Sequence, residues 1–348
     1  MFFKPRKKAF IIGYILIVCI FTIGLVLISQ IRIPGLYVAY DVYIDENYAY
    51  LTNNDGCIII DLENYRKTCT IGVGTGFGVF SQSDLVFVGS SNTFFIYNIS
   101  IPENPAKLSE WNGANTIYNF FIEGSYAYIA NYEGGFDVVD ISNPQTPINV
   151  CTFYDIVRGL SIRRYQILIF YADPDNGLKV INITDFSSPS IIRTIAGTQG
   201  AWDIHIHQNY LLLGCHGNGV KIMDISEPQL PIKLGQYLKP GGEAYGVTGN
   251  ETHLYVADLQ KGVYLLNITD PSNPTEVTQY RDAAPHGIFS DGKKIYLADQ
   301  DRQLIILETD LTYIYSSGKA LASFEFPVLI TTFILILFCK ISKIKERN

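Results

Sequence analysis

Proline, cysteine and methionine are all scarce in this chain. Its 348 residues include 15 Pro, 6 Cys and 2 Met. So little proline excludes a collagen-like chain, and six cysteines over this length exclude a disulfide-dense mini-scaffold. The motifs G-x-S-x-G, H-E-x-x-H and G-x-x-x-x-G-K-[ST] do not occur in the sequence, so it carries none of these common catalytic signatures.

What the chain has is length and a high apolar and aromatic content. Hydrophobic residues make up 48%, and there are 24 Tyr and 20 Phe. This composition excludes a disordered chain, which cannot bury enough apolar surface to fold. The length is too great for one average domain but suits one large repeat architecture.

The net charge of −7 conceals a difference between the ends and the middle. Residues 31–320 hold 18 Lys and Arg against 31 Asp and Glu, a formal charge of −13. An acidic body repels phosphate backbones. We therefore expect no nucleic-acid partner.

The N-terminal region predicts a membrane segment. A basic tail at 1–8 precedes 21 uncharged, mostly apolar residues at 9–29, which as a helix would cross a hydrocarbon core of about 30 Å. We interpret 9–29 as a transmembrane signal-anchor. The alternative is a cleaved signal peptide, although the apolar stretch is long and no A-x-A-like cleavage site follows it.

The C-terminal region predicts a second membrane anchor at 321–341, followed by a basic tail at 342–348. This arrangement also resembles the C-terminal anchors of prokaryotic, especially archaeal, surface proteins. The positive-inside rule places both basic tails in the cytoplasm. Residues 31–320 would then lie on the extracytoplasmic side of the plasma membrane.

An internal repeat occupies the region between these segments. Apolar runs such as 136–140 recur, and each closes on a polar residue. The closing residues are Asp61, Asn98, Asp140, Asn182, Asp224, Asn267 and Glu308. Their spacings of 37, 42, 42, 42, 43 and 41 define seven units.

Each unit predicts four short strands. Two strands with alternating apolar residues lead into a turn that usually contains glycine, then into the continuously apolar third strand, which we expect to be buried on both faces. A Pro-x-x-Pro turn then leads to an outer fourth strand. Four antiparallel strands in about 40–45 residues are typical of a propeller blade. The sequence therefore predicts an all-β, seven-bladed β-propeller of 42-residue, four-stranded repeats, flanked by two transmembrane helices.

The runs at 136–140, 178–182 and 220–224 resemble the LVIVD-repeat family, which is named for this strand. The resemblance covers about 39–317 and is strongest over 117–275. Repeats one, two and seven depart from the pattern; the seventh has Gln303 where glycine is expected. The family implies a β-propeller-like surface or secreted interaction module, and it supplies no catalytic residues to carry over.

Two covalent modifications are candidates. If the hairpin after the third strand of the first unit folds about residue 63, Cys57 and Cys69 lie opposite each other within reach of a disulfide. Free buried thiols are the alternative. Of four N-x-[ST] sequons, three coincide with strand-closing positions, which leaves Asn250 as the candidate glycosylation site.

Metal and cofactor sites are not predicted. His205 and His207 alternate on one strand and so share a face, but no third ligand lies near them in the sequence. A channel-lining or core pair explains them better. The acidic and amide-rich segments at 53–55 and 173–176 resemble calcium loops, but they coincide with the repeated turn, where hairpin chemistry accounts for them.

A candidate ligand site emerges when the first strands of the seven units are aligned. The position just before each strand holds a large side chain in all units: Tyr40, Phe77, Tyr118, Arg158, Trp202, Tyr245 and His286. Innermost strands line the central channel of a propeller, so these residues would surround its mouth, with Asp41 and Asp203 one step deeper. Planar rings with polar tips suit stacking on sugars or anchoring a peptide, although they could equally plug the channel.

Two functions remain open at this point. The first is a membrane-anchored cell-surface propeller that binds or scaffolds a surface protein or glycan at the channel mouth. The alternative is an extracytoplasmic propeller enzyme, a hydrolase or lyase, with its site in the channel. No complete acid–base or metal constellation supports the enzyme, and we assign no catalytic residue. Binding is therefore the favoured expectation.

Overall fold

Short strands separated by tight turns make up the regular structure, as the repeat predicts. The structure is a computed structural model that describes residues 20–31, 38–113, 115–156 and 158–314, without the side chains of 20–31 and 309–314. The strands form seven four-stranded sheets. The seven-bladed β-propeller prediction is therefore confirmed.

The first two strands of every blade form a hairpin. The first strands are β2 Ala39–Asp45, β6 Gly76–Gln82, β10 Ile117–Glu123, β14 Ser161–Tyr165, β18 Asp203–His207, β22 Ala244–Gly249 and β26 Pro285–Ser290. The second strands are β3 Tyr48–Asn53, β7 Leu85–Ser90, β11 Tyr126–Asn131, β15 Leu168–Asp173, β19 Tyr210–Gly214, β23 His253–Asp258 and β27 Lys294–Asp299.

The third and fourth strands complete each blade. The third strands are β4 Gly56–Asp61, β8 Thr93–Asn98, β12 Gly135–Asp140, β16 Gly177–Asn182, β20 Val220–Asp224, β24 Gly262–Asn267 and β28 Gln303–Ile314. The fourth strands of blades one to six are β5 Arg66–Gly72, β9 Ala106–Asn112, β13 Ile148–Phe153, β17 Ser190–Thr194, β21 Ile232–Tyr237 and β25 Thr275–Tyr280.

The seventh blade takes its fourth strand from the other end of the chain. Its strand order is β1-β28-β27-β26, where β1 is Ile20–Ile31. This segment overlaps the predicted membrane helix at 9–29 and is a strand instead. A run of branched apolar residues fits either structure, and here it pairs with the free edge of β28.

The terminal predictions otherwise concern residues that the structure does not describe. The chain divides into a larger unit, 25–309, which holds most of every blade, and a second unit of 1–24 and 310–348. The basic tails at 1–8 and 342–348, the first part of the 9–29 segment and the 321–341 anchor lie outside the described residues. In the described part of the chain, no helix has the length and apolarity needed to cross a membrane.

The ring of blades is closed by its innermost strands. Each first strand lies against the first strands of the two neighbouring blades, and β26 of the last blade lies against β2 of the first. The apolar clusters lie between blades; one combines Val42 and Ile58 of blade one with Tyr296 and Leu304 of blade seven. Third strands such as Gly135–Asp140 are buried along almost their whole length, as predicted.

A β-bulge interrupts the pairing of the third and fourth strands in each of blades one to six. In blade one, Ile59 pairs with Cys69 but Ile60 pairs with Lys67, which leaves Thr68 as the extra residue. A bulge shifts the register of every residue beyond it. This repeated feature bears directly on the cysteine prediction.

Candidate functional site

The innermost strands enclose a cavity of about 480 Å³ in the central channel. Six of the seven predicted mouth residues line it: Tyr40, Phe77, Tyr118, Trp202, Tyr245 and His286. All six are half-buried. Asp41 and Asp203 line the same cavity, so the sequence alignment brought together side chains that do meet in space.

The six rings form a continuous arc of neighbours around the mouth. Their ring centroids lie 4.6 Å apart for Trp202 and Tyr245, 5.5 Å for Tyr245 and His286, 5.8 Å for His286 and Tyr40, 5.3 Å for Tyr40 and Phe77, and 5.0 Å for Phe77 and Tyr118. Such separations are those of favourable aromatic pairs. Each ring is therefore held by its neighbours on adjacent blades.

Two further rings extend the arc, and the sequence alignment missed both. Tyr132 lies 5.2 Å from Tyr118, and His216 lies 5.7 Å from Trp202 and 5.3 Å from Tyr245. Both follow the end of a second strand, whereas the alignment compared only residues that precede first strands. An aromatic residue in the turn after the second strand is the signal that would have found them.

Arg158 is not the mouth residue of blade four, and its assignment was wrong. Ser161 pairs with Ala172 as Asp203 pairs with Gly214 in blade five, which makes Leu160 the equivalent of Trp202. The backbone confirms this, since the Leu160 amide donates to the Ala172 carbonyl as the Trp202 amide does to Gly214.

Arg158 instead lies at the rim. Its guanidinium carbon is 5.5 Å from the centroid of the Tyr132 ring, and Nη1 is 3.5 Å from the Asp175 carboxylate. The spacing along the chain would have shown the shift. In blades three, five, six and seven, 22 residues separate the mouth position from the strand-closing residue, and 22 residues before Asn182 is Leu160.

Directly beneath the rings, Asp41 and Asp203 join neighbouring blades. Asp41 Oδ2 accepts a hydrogen bond from the Val79 amide of blade two at 3.2 Å. Asp203 Oδ2 accepts one from the Val247 amide of blade six at 3.1 Å, and its Oδ1 accepts one from Ser161 Oγ of blade four at 3.0 Å. Both carboxylates therefore stabilise the ring as well as line the cavity.

Glycines widen the channel at the same level. Gly78, Gly246 and Gly287 occupy the place that Asp41 and Asp203 hold in their blades. A Cβ atom on Gly287 would lie 2.9 Å from Asp41 Cα. The close approach of blades seven and one therefore requires glycine here.

The titration of the two carboxylates differs from that of an exposed aspartate. Burial in the channel raises the pKa of Asp41 to about 7, against the effect of the backbone hydrogen bonds from Val79 and Val42. Burial also raises the pKa of Asp203, and the nearby Arg163 guanidinium opposes this shift most strongly. Desolvation favours the neutral form of a carboxylic acid.

Arg163 and His205 lie deeper, on the side of blades four and five. Arg163 Nη1 donates to Asn119 Oδ1 at 2.8 Å, and Nη2 lies 4.0 Å from Asp203 Oδ1. His205 Nε2 donates to the Gly249 carbonyl at 3.0 Å. Burial, and secondly the charge of Arg163, lower the pKa of His205 to about 4, so the imidazole is neutral at pH 7.

The opposite wall at this depth is aromatic. Tyr43 lies 4.6 Å from Phe80 and 5.1 Å from Phe289, measured between ring centroids. Phe121 lines the cavity beside them. The cavity therefore has an aromatic mouth, a layer with carboxylates and glycines, and a base that is apolar on one side and cationic on the other.

The predicted register of Cys57 and Cys69 was wrong. Cys57 pairs with Ile71 and Cys69 with Ile59, so the two cysteines are diagonal rather than opposite. The bulge at Thr68 and the turn before it cause the offset. All four described cysteines are free thiols, and Cys57 is fully buried, which raises its pKa.

The remaining candidates serve local structure. Asn250 lies in the turn after β22, where its Oδ1 accepts hydrogen bonds from the Thr252 and His253 amides, each at 2.9 Å; its glycosylation stays a prediction. His207 Nε2 lies 2.8 Å from Glu251 Oε2. Within the described residues, no three His, Cys, Asp or Glu side chains group as metal ligands would.

The segments 53–55 and 173–176 are hairpin turns. Asn53 Oδ1 accepts hydrogen bonds from the amides of Asp55 and Gly56. Asp173 Oδ1 accepts from those of Asp175 and Asn176 in the same way. Side chains of this kind satisfy the backbone of tight turns, which supports the hairpin interpretation over calcium loops.

Comparison with known proteins identifies the repeat. The LVIVD repeat profile matches residues 38–65, 119–155, 169–196, 199–239 and 241–282, which together make up about half of the chain. The first repeat matches although we expected it to depart, whereas no match covers the second or the seventh. No curated protein matches the chain.

Two solved structures share the fold. The β-propeller domain of Cps50 (Swd1) from Myceliophteria thermophila superposes with a TM-score of 0.67 at 10% identity, over 81% of this chain and 98% of that domain. The computationally designed Ika8 protein gives a TM-score of 0.61 at 10% identity, over 78% of this chain and 83% of its own. At such identities the likeness concerns the fold alone.

Proposed function

The chain belongs to the LVIVD repeat family, and from this membership and its channel geometry we propose that it is a binding module. Its ligand, a partner protein or a glycan, would enter the aromatic mouth of the central channel. The observation that carries the proposal is the arc of six contacting rings above a cavity of about 480 Å³. Typical ligand pockets enclose about 300–1,000 Å³.

Aromatic side chains at such a mouth provide large contact areas at a low cost in entropy. Tyrosine and tryptophan dominate binding hot spots for this reason, and their truncation typically costs about 2 kcal/mol or more. The rings here are half-buried, so each retains surface for a ligand. Since neighbouring rings hold one another in place, little ordering remains to oppose binding.

The polar groups inside the cavity support binding over catalysis. Asp41, Asp203 and His205 each hydrogen bond to the backbone of a neighbouring blade. A general acid or base needs a free proton-transfer geometry toward its substrate. These side chains instead spend hydrogen-bonding capacity on the ring of blades, so the enzyme remains the less supported alternative.

We also propose that the propeller is displayed on the outer side of the plasma membrane. The apolar segments at 9–29 and 321–341, each beside a basic tail, support this location. Residues 20–31 cannot form both strand β1 and a membrane helix. Protease treatment of intact cells separates these roles: a helix protects both terminal tails, whereas β1 in the blade leaves the first tail outside and cleavable.

Affinity capture with the full-length protein tests the binding proposal. Extract of the organism's own cells and an array of glycans would be offered to the native protein and to the Trp202→Ala/Tyr245→Ala variant. We expect the native protein to retain a partner and the variant to bind it at least about 100-fold more weakly, since two hot-spot residues are removed.

The control is Tyr154→Ala, because this tyrosine is 68% exposed and does not line the cavity. It should bind like the native protein, and circular dichroism should show all three proteins folded. Unchanged affinity in the double variant would reject the mouth as the binding site.

A further inference from the structure

Asp41 is a carboxylate beneath the aromatic mouth that has no cationic partner. Its Oδ1 accepts a hydrogen bond from the Val42 amide at 2.9 Å and its Oδ2 one from the Val79 amide at 3.2 Å. None of the ion pairs found in the described part of the chain includes Asp41. Since each carboxylate oxygen can accept two hydrogen bonds, both retain the capacity to accept another donor.

The cation within the cavity is already engaged elsewhere. Of the described residues that line the cavity, only Arg163 carries a permanent positive charge. Its guanidinium donates to Asn119 and lies 4.0 Å from Asp203. The charge of Asp203 is thus partly compensated from within the channel, whereas that of Asp41 is not.

The path to Asp41 also favours positive charge. A ligand group must pass the arc of rings that includes Tyr40, the residue directly before Asp41, and aromatic rings attract cations through their quadrupole. The body of the protein carries a formal charge of −13 over 31–320, which concentrates cations near its surface. Both effects disfavour an anionic ligand.

We propose that the channel receives the positively charged head group of a lysine or arginine side chain from a partner protein, with Asp41 as its counter-ion. This inference rests on the proposed binding function, whose ligand chemistry it names. The aromatic mouth would surround the apolar stem of the inserted side chain, and the head group would donate to the free lone pairs of Asp41.

The titration of Asp41 gives the inference a signature in the unaltered protein. Burial raises the pKa of this carboxyl to about 7, and an adjacent cation would favour the ionised form. Binding would therefore release a proton below pH 7. The affinity for a cationic ligand should fall by about tenfold for each pH unit below 7.

Tryptophan fluorescence can report on this site. The chain has 2 Trp; Trp202 lies in the mouth, whereas Trp111 lies in the outer strand β9. Full-length protein with Trp111→Phe would be titrated with butylammonium and butylguanidinium ions. Butanol, butyrate and methyl glucoside serve as neutral, anionic and sugar probes of similar or larger size.

We expect both cations to change the Trp202 emission at concentrations where butanol and butyrate have no effect, with the pH dependence given above. Asp41→Asn should weaken cation binding at least about tenfold and remove the pH dependence. Asp45→Asn is the matched control, because Asp45 ends the same strand but does not line the cavity. Thermal unfolding would confirm that each variant is folded.

Three outcomes would overturn the inference: equal binding of cations and butanol, cation binding that does not depend on pH between 5 and 8, or preferential binding of methyl glucoside. If the captured partner is still lost with Trp202→Ala/Tyr245→Ala, the binding function stands and only the cationic ligand is rejected. If neither the partner nor any probe responds to the mouth variants, the proposed function fails as well.

Discussion

Replacement of Gly262 by alanine should destabilise the protein through two separate effects. Gly262 opens the third strand of blade six with a φ of +83°. A Cβ atom there would lie 2.2 Å from the Tyr280 carbonyl oxygen and 3.0 Å from Arg281 Cα, at the end of the fourth strand. Alanine must therefore adopt a strained backbone and also displace the outer strand.

The expected cost follows from these two contributions. A left-handed backbone costs a residue with a Cβ about 1–2 kcal/mol. Moving the end of β25 adds about 1–3 kcal/mol, the usual range for an overpacked site. We expect a total loss of about 3 kcal/mol in the free energy of unfolding, which corresponds to a fall of about 6 °C or more in melting temperature for a domain of this size.

Two further glycines separate the contributions. Gly292 has a φ of +88°, but a Cβ there has nothing within 4 Å, so Gly292→Ala should cost only the strain of about 1–2 kcal/mol. Gly72 has neither a left-handed backbone nor a close neighbour, so Gly72→Ala should leave stability unchanged or slightly raised. Calorimetry of the three variants beside the native protein measures the order. Equal losses for Gly262→Ala and Gly292→Ala would refute the packing of the outer strand against this turn.

Two other predictions concern buried titratable groups. Peptide mapping of unfolded, non-reduced protein should find both Cys57 and Cys69 as free thiols; a linked peptide pair would contradict the bulged register. The lowered pKa of His205, about 4 against 6.5 in the unfolded chain, means that the unfolded state binds more protons between these values, so stability falls as the pH drops through this window. Between pH 7 and 5 this group should remove about 2 kcal/mol. Urea unfolding of His205→Gln should show a pH dependence weaker by that amount, and an identical dependence would refute the assignment.

The architecture was predictable because its signal is local and repeated. Seven apolar runs, each closed by a polar residue, define seven buried third strands without any long-range information. The closing residues also have a common task that explains their chemistry. Asp140 and Asn182, for example, each accept a hydrogen bond from the amide two residues later. Asp and Asn are favoured in turns for this reason.

Register was less predictable, because it depends on single residues without a chemical signature. Thr68, the bulged residue of blade one, differs in no obvious way from its neighbours, yet it moves Cys69 away from Cys57. The mouth position of blade four was misassigned for a related reason. Arg158 suited the expected chemistry, while the constant spacing to the closing residue pointed to Leu160.

The channel was predictable in its members but not in its contacts. Aligning the first strands identified six rings that do line one cavity. Tyr132 and His216 join them from a different turn, and the hydrogen bonds of Asp41 and Asp203 to neighbouring blades depend on how the blades pack. Such contacts between units separated by about 40 residues leave no periodic trace in the sequence.

Hydroxyl-radical footprinting of the protein with and without its captured partner tests the central claim most directly. The proposed site predicts that binding protects Trp202 and Tyr245 at the mouth from oxidation, while the exposed Tyr154 of the outer blade surface reacts equally in both states. Protection of Tyr154 and the outer strands, with Trp202 and Tyr245 oxidised as in the free protein, would contradict the channel mouth as the binding site.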